Sequence, residues 1–357
     1  MNERNKEGQE AVEGKRKIKF IGDFTLEELE EKMASLTLPR YRARQIFSWI
    51  YKKGITDWMQ ASDLPLSLRE RLESLYSLRP LELETRQESV DGTQKFLFRL
   101  HDGRYIETVL IPAGKRRTLC LSTQVGCKFG CLFCASGLPG FIRQLTPAEI
   151  TGQILFLRHH LDIPLTNFVF MGMGEPLDNF PALSRAIKIM NSKASLGIAA
   201  RRITVSTCGI VPGIKKLAEL GLQVNLSLSL HATSDELRRR LVPIARKYPL
   251  EEVLAACEEY VKETGLVMTL EYVLLAGVND SAAEADALAS IARRLQAKIN
   301  LIPYSPVSGL AFRPPSAERV KIFKRWLEEL AARVTVRHSK GLDIQAACGQ
   351  LAGRFSP

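Results

Sequence analysis

Residues 127–134 read CKFGCLFC, three cysteines at spacings of four and three. They directly follow an apolar run, 118–122, that has the look of a buried strand. Disulfides take thiols in pairs, and a structural zinc site takes four ligands, usually as two separated pairs. No second CxxC pair and no nearby histidine completes such a site. A four-iron cluster normally takes four cysteines, so three leave one iron open to a further ligand. Thiolates are soft ligands that suit such clusters. Cys127, Cys131 and Cys134 are therefore candidate cluster ligands on a loop at the end of a strand.

Outward from that loop the chain repeats strand and helix. Apolar runs predict strands at 118–122, 167–171, 202–206, 224–230, 268–274 and 298–302, and amphipathic helices fit between them, as at 147–160, 250–264 and 282–295. Six βα units of this kind predict an α/β fold whose parallel sheet rolls into an open, TIM-like (β/α)6 barrel. In such barrels the chemistry sits at the strand C-termini. Upstream, KFLFRLHDGRYIETVLIP alternates around Asp102-Gly103, which predicts a β-hairpin. Before it, 24–38, 41–53 and 65–76 have helical spacing. The expected organisation is a charged, disordered tail at 1–20 and a helical accessory domain at 21–80. A β-hairpin linker at 81–115 and a barrel core at 116–357 follow.

The 357 residues are 45% hydrophobic and 25% charged, as in ordinary globular proteins, but carry a net charge of +11. That balance favours a polyanion, and nucleic acid over membrane because no long apolar run exists. The first residues lack the apolar stretch of a secretion signal, and seven cysteines do not pair evenly. A cytoplasmic setting with metal or redox use of the thiols is expected. Between Arg40 and Thr56 five Lys or Arg, with no acidic residue, interleave with Tyr41, Phe47, Trp49 and Tyr51. This suits an RNA-binding face and equally a small bundle with aromatics inside and cations outside. Further runs at 115–117, 201–202 and 238–240 are candidate phosphate contacts, or solvated faces.

Other short motifs fall at strand ends. MGMGEP puts Gly174 and Glu175 after the second strand, where glycine permits close backbone approach and a carboxylate can accept from an ammonium. RRITVSTCG and VNLSLSLH place Ser206, Ser229, Leu230 and His231 at the third and fourth strand ends, and INLIPYSP places Ser305 at the sixth. Each hydroxyl taken alone suits a helix cap equally well. Cys348 in ACGQL, taken alone, suits a buried apolar filler.

Together VGCxxxCxxC, GMGEP, SLH, NLIP and ACGQL resemble the RlmN-type radical S-adenosylmethionine (SAM) methyltransferases of large-subunit ribosomal RNA, over about residues 25–353. The resemblance implies a [4Fe–4S] cluster on Cys127, Cys131 and Cys134, with SAM chelating its open iron. It implies SAM contacts from Gly174, Glu175, Ser206, the 229–231 segment and Ser305, the last a departure from the usual Asn. It further implies an adenine-C2 methylation using two SAM molecules. One methylates Cys348; the other yields a radical that takes a hydrogen from the S-methyl group, and the resulting methylene adds to C2. Release then needs a base, Glu107 in YIETVLIP, and a second thiol, Cys120 in RRTLC, which leaves a transient disulfide. Cys208 and Cys257 match no functional position and are expected to be structural. The amino-terminal helices are similar to the family's RNA-binding accessory domain, and the family also implies a flavodoxin-type reductant and a monomer. Whether tRNA, at the adenine 3′ of the anticodon, is a second substrate stays open. Two rival readings remain: a C8 methyltransferase sharing the machinery, and a non-catalytic iron–sulfur RNA-binding protein.

Overall fold

A computed structural model of the chain describes residues 18–353. The expected tail lies outside the described residues except for its last three positions. Of these, Phe20 is buried and bridges to Ser77, so the ordered chain reaches back past the boundary drawn at position 21.

Three helices come first: α1 (Leu26–Ser35), α2 (Tyr41–Phe47) and α3 (Leu66–Leu75). Thr25 and Glu28 close a reciprocal capping box at the start of α1, so two otherwise unpaired backbone N–H groups are satisfied. Leu29 and Met33, one turn apart, bury the inner face of α1 against α2. Helix α2 continues through a π-helical turn at Ser48–Lys52. That extra turn carries Trp49 and Tyr51 inward while Lys52 and Lys53 stay exposed. Phe47 and Tyr51 are core residues, whereas Tyr41 is exposed with Arg42 over its ring. The bundle reading of this stretch holds for Phe47, Trp49 and Tyr51, with Lys52 and Lys53 on the solvent side. The helical region is joined to the barrel by Asp23, which accepts from Ala148 N–H at 3.0 Å, and by an Arg185–Glu28 ion pair at 2.8 Å.

The sheet begins with β1 (Leu81–Glu88), β2 (Gln94–Leu100) and β3 (Tyr105–Ala113), all antiparallel. The β2–β3 turn at Asp102-Gly103 is as expected, with Gly103 at φ +78°. These strands are not a free-standing linker. β3 pairs antiparallel with β4 (Arg116–Cys120), setting Val109 opposite Cys120, so they extend the barrel sheet at its first edge.

From β4 the strands run parallel through β7 (Asn167–Phe170), β8 (Ile203–Thr207), β9 (Asn225–Ser229), β10 (Thr269–Leu274) and β11 (Lys298–Pro303). These make the six-stranded core, and β12 (Arg333–Val336) adds a further parallel strand beside β11. A separate two-stranded ribbon, β5 (Gln124–Gly126) with β6 (Phe141–Gln144), brackets the cysteine loop. The covering helices are α4 (Pro147–Leu155), α5 (Phe180–Asn191), α6 (Val211–Ala218), α7 (Asp235–Leu241), α8 (Leu250–Thr264), α9 (Ala282–Arg294) and α10 (Ala317–Glu329). The parallel strands read as near-continuous apolar runs because both their faces are covered. Leu226, Leu228, Leu270, Ile299 and Leu301 are all fully or almost fully buried. Each such side chain contributes on the order of 1.5–3 kcal/mol. Among the described residues no helix is long and apolar enough to cross a membrane.

Candidate active site

The loop after β4 is fixed by its own ribbon. Cys127 N–H donates to the Gly140 carbonyl at 3.2 Å, and Cys134 N–H to the Cys131 carbonyl at 3.0 Å. Gly126 sits at φ +73°, and a Cβ there would stand 1.8 Å from the Gly140 carbonyl oxygen, so only glycine closes this turn. Cys127, Cys131 and Cys134 line one cavity at the C-terminal mouth of the barrel. Burial pushes the Cys127 thiol up to about 12, and burial likewise raises Cys131 and Cys134. Uncompensated thiolates are disfavoured there, and thiolates held at this site need a cationic partner. Among the described residues no three His, Cys, Asp or Glu groups converge on a single metal ion. In a multi-iron cluster each thiol binds a different iron.

The rest of the cavity is built from the strand ends. Gly174, at φ +92° against Gln124, turns the chain after β7 so that Glu175 points inward. Glu175 is buried, its carboxylate accepting from Leu177 N–H at 3.0 Å and Cys208 N–H at 2.8 Å, and burial raises its pKa against those hydrogen bonds. Ser206 and Ser229 share a 3.2 Å hydroxyl contact across β8 and β9. Ser305 hydrogen-bonds Ser339 at 2.7 Å. His231 adopts φ +58°, its Nδ1 accepts from Val273 N–H at 3.1 Å, and its ring meets Phe133 edge-on at 4.7 Å. Burial, with Arg238 nearby, drives its pKa down to about 3, so it is a neutral strut between β10 and the cysteine loop. All six residues line the cavity.

Leu230 does not line it. Its side chain is in the barrel core, its N–H donates to Glu271 and its carbonyl accepts from Arg238, because successive strand residues point to opposite faces. Arg238 also departs from expectation. It is fully buried, donating to the Cys208 carbonyl at 2.6 Å, and does not face solvent as a phosphate contact would. Cys208 lines the cavity beside Glu175, while Cys257 is core.

Cys348 lies on an irregular arm after β12 and lines the same cavity as the three loop cysteines. It also lines a small adjoining cavity with Cys120 and Arg337. Burial first, then Cys348, pushes the Cys120 thiol up to about 12, and Arg337 opposes that rise. Arg337 is held charged mainly by Cys348, with Glu271 and Cys120 adding. Glu107 is buried on β3 but lines neither of these cavities. Its Oε1 pairs with Lys95 at 3.0 Å, and its Oε2 accepts from Ala352 and Gly353 N–H at 2.7 and 2.8 Å.

Sequence reasoning missed Arg337 and Glu271. Arg337 directly follows β12, where the strand-end rule points. Glu271 is a lone carboxylate inside an apolar strand, a type rarely buried without a purpose.

Two family models match: the ribosomal RNA large subunit methyltransferase N-terminal domain over residues 21–78, and the radical SAM superfamily over 121–288. A probable dual-specificity RNA methyltransferase RlmN of Symbiobacterium thermophilum is 46% identical over 335 residues, spanning 93% of this chain and 90% of that protein. This chain belongs to the RlmN family of radical SAM methyltransferases. The dual-specificity RNA methyltransferase RlmN of Geobacter sulfurreducens is 45% identical, spanning 94% of this chain and 92% of its own. A crystal structure of a radical SAM methyltransferase from Sphaerobacter thermophilus superposes with a TM-score of 0.89 at 46% identity, covering 94% of this chain and all of that one. RlmN membership implies a [4Fe–4S] cluster and SAM, and the thiol-lined cavity with its inward carboxylate and hydroxyls fits both.

Proposed function

We propose that this chain methylates C2 of an adenine in large-subunit ribosomal RNA, and of the adenine 3′ of the anticodon in tRNA, through a methyl group carried on Cys348. The carrying observation is the position of Cys348, whose arm lines the cavity of the three loop cysteines and adjoins Cys120. The ribosomal RNA name of the matched N-terminal domain supports the first RNA, and the dual-specificity names of the relatives support a second substrate.

In this reading Cys127, Cys131 and Cys134 hold the cluster, and Gly174, Glu175, Ser206, Ser229, His231 and Ser305 surround SAM. Bound there, the two supply a methyl donor and a hydrogen-abstracting radical. The chain's own residues do the rest. Adenine C2 is electron-poor and does not attack a methyl cation equivalent, so a thiolate nucleophile, Cys348, takes the methyl first. Its S-methyl carbon, once it has lost a hydrogen atom, adds to C2. Glu107 accepts the C2 proton as the adduct gives up its unpaired electron to the bound cluster. Cys120, as a thiolate, then attacks the sulfur of Cys348, closing a disulfide as the C2 methylene leaves with the carbon–sulfur electron pair and takes up a proton to become the methyl group. Arg337, which lines the small cavity with both thiols, stabilises negative charge on either sulfur. The surplus of basic residues supports an RNA partner through phosphate contacts.

Nucleoside analysis of RNA treated with cluster-loaded protein and SAM tests the reading. The expected product is 2-methyladenosine; 8-methyladenosine would transfer the chain to the C8 reaction. No modified adenosine at all would favour a binding module, which leaves Cys348, Cys120 and Glu107 without a task.

A further inference from the structure

Building on that function, a second, outer cavity has no assigned occupant. It opens between β1–β3, residues 135–138 and the loop after β11, with a volume of about 430 Å³. The inner, thiol-lined cavity and this outer one are separated by a thin wall. Residues of the same two segments face each side: Cys134, Ser136, Cys348 and Gly349 inward, Ala135, Gln345, Gln350 and Ala352 outward. The wall is stitched by backbone and side-chain bonds. Ala135 N–H donates to the Gly349 carbonyl at 2.7 Å, Ser136 Oγ to the Leu351 carbonyl at 2.7 Å, and Gln350 Nε2 to the Pro306 carbonyl at 2.9 Å.

Thiol and base therefore lie on opposite sides of the arm. Cys348 looks into the inner cavity, and Glu107 looks into the outer one. Both must act on one carbon, and the inner cavity is the one that the cluster and SAM fill. We infer that the outer cavity receives the unstacked target purine of the RNA, and that the arm is the door through which Cys348 reaches it. The lining suits a heteroaromatic ring carried on a phosphate backbone. Gln87 and Gln345 offer amide donors and acceptors for a base edge, Leu97 and Leu138 offer apolar surface for its faces, and Lys95, paired with Glu107, supplies a cation. Glu107 is engaged by Ala352 and Gly353 while the door is shut. The same movement that delivers the S-methyl group thus frees the base.

The test fills the outer cavity without touching the inner one. Thr85 and Gln87, two apart on β1, both line the cavity and are exposed, whereas Arg86 between them projects to the other face. In cluster-loaded protein, Thr85→Trp and Gln87→Trp are expected to carry the Cys348 methyl group as wild type does while transfer to RNA falls at least 100-fold. Arg86→Trp is expected to match wild type in both. A hairpin RNA with 2-aminopurine in place of the loop adenine gives a readout that needs neither cluster nor SAM. Its emission is expected to rise on binding wild type and Arg86→Trp, and not on binding the two cavity-filling variants. Transfer within twofold of wild type in Thr85→Trp and Gln87→Trp, or an unchanged emission rise, overturns the assignment. Should wild type leave Cys348 unmethylated, the methyl-carrier reading fails, and the emission response alone upholds or overturns the cavity.

Discussion

The cysteine loop and the cysteine arm supply thiols to the same cavity but are held in opposite ways. The loop, from Gly126 to Gly140, is closed at its two ends by the β5–β6 ribbon, while Leu132 bonds to Leu241 and Ala135 and Ser136 bond to the arm. The arm, from Arg337 to Gly353, contains no helix or strand. It is held at several points by groups remote in sequence. Asp91 accepts from Gly341 N–H at 3.0 Å, Ser89 Oγ donates to Asp343 at 2.5 Å, and Glu107 clamps Ala352 and Gly353. On the proposed function the loop must hold cluster ligands fixed, whereas the arm's thiol has to visit a donor, a radical and a base. Closure by a ribbon would serve the first need, and separable polar contacts the second.

The largest expected contrast comes from removing one thiol from each side. Cys131→Ala and Cys348→Ala should each lower RNA methylation by roughly 10³-fold or more. Iron and sulfide analysis should find the cluster lost only in Cys131→Ala. Equal iron loss in Cys348→Ala would make the arm cysteine a ligand and erase the distinction.

Backbone and ion-pair changes sharpen the comparison. Gly126→Ala adds the left-handed strain and a backbone clash, a destabilisation of about 3 kcal/mol or more that thermal melting and cluster loading should both register. Lys95→Met leaves Glu107, whose side chain is 6% exposed, without its cation. Removing one partner of a buried pair costs about 3 kcal/mol. Hydrogen exchange should show the change chiefly as faster exchange at 341–353 with the cluster retained. A uniform rise over the whole barrel would show that the arm is no separate unit.

Acid probes the loop side through His231. Its folded pKa, about 3, lies below the ordinary histidine value of 6.5. The unfolded chain therefore binds a proton that the folded chain refuses. Stability is full above about 6.5 and declines as pH falls from there toward 3. Melting temperatures of His231→Gln should fall less over that window than those of wild type; parallel curves would remove His231 as the cause. The smallest effect belongs to the exposed cations. Arg40→Gln with Arg44→Gln should weaken RNA binding severalfold, and should flatten the dependence of log K on log salt by about one for each phosphate that is no longer neutralised.

Much of the barrel was legible because its signals are local. Helix α8 matches its expected bounds and the core strands agree within a residue or two, since apolar runs and Gly or Pro breaks are read within one segment. The joining of β3 to β4 was not legible, because strand order across a sheet edge depends on pairing between segments that carry no mark of each other. The core-facing side chain of Leu230 and the burial of Arg238 have one origin. Motif and charge say which residues are near a site, but not which face a side chain takes. Arg337 escaped because its partners, Cys348, Glu271 and Cys120, come together only once β10, β12 and the arm have folded.

The central claim is that the arm cysteine carries the methyl group, and the mass of the tryptic peptide 341–354 tests it most directly. Protein purified without oxygen, with its cluster, and supplied with SAM should yield this peptide one methyl group heavier, with the addition on Cys348. An unmodified thiol in that same cluster-loaded, SAM-supplied protein would contradict the account.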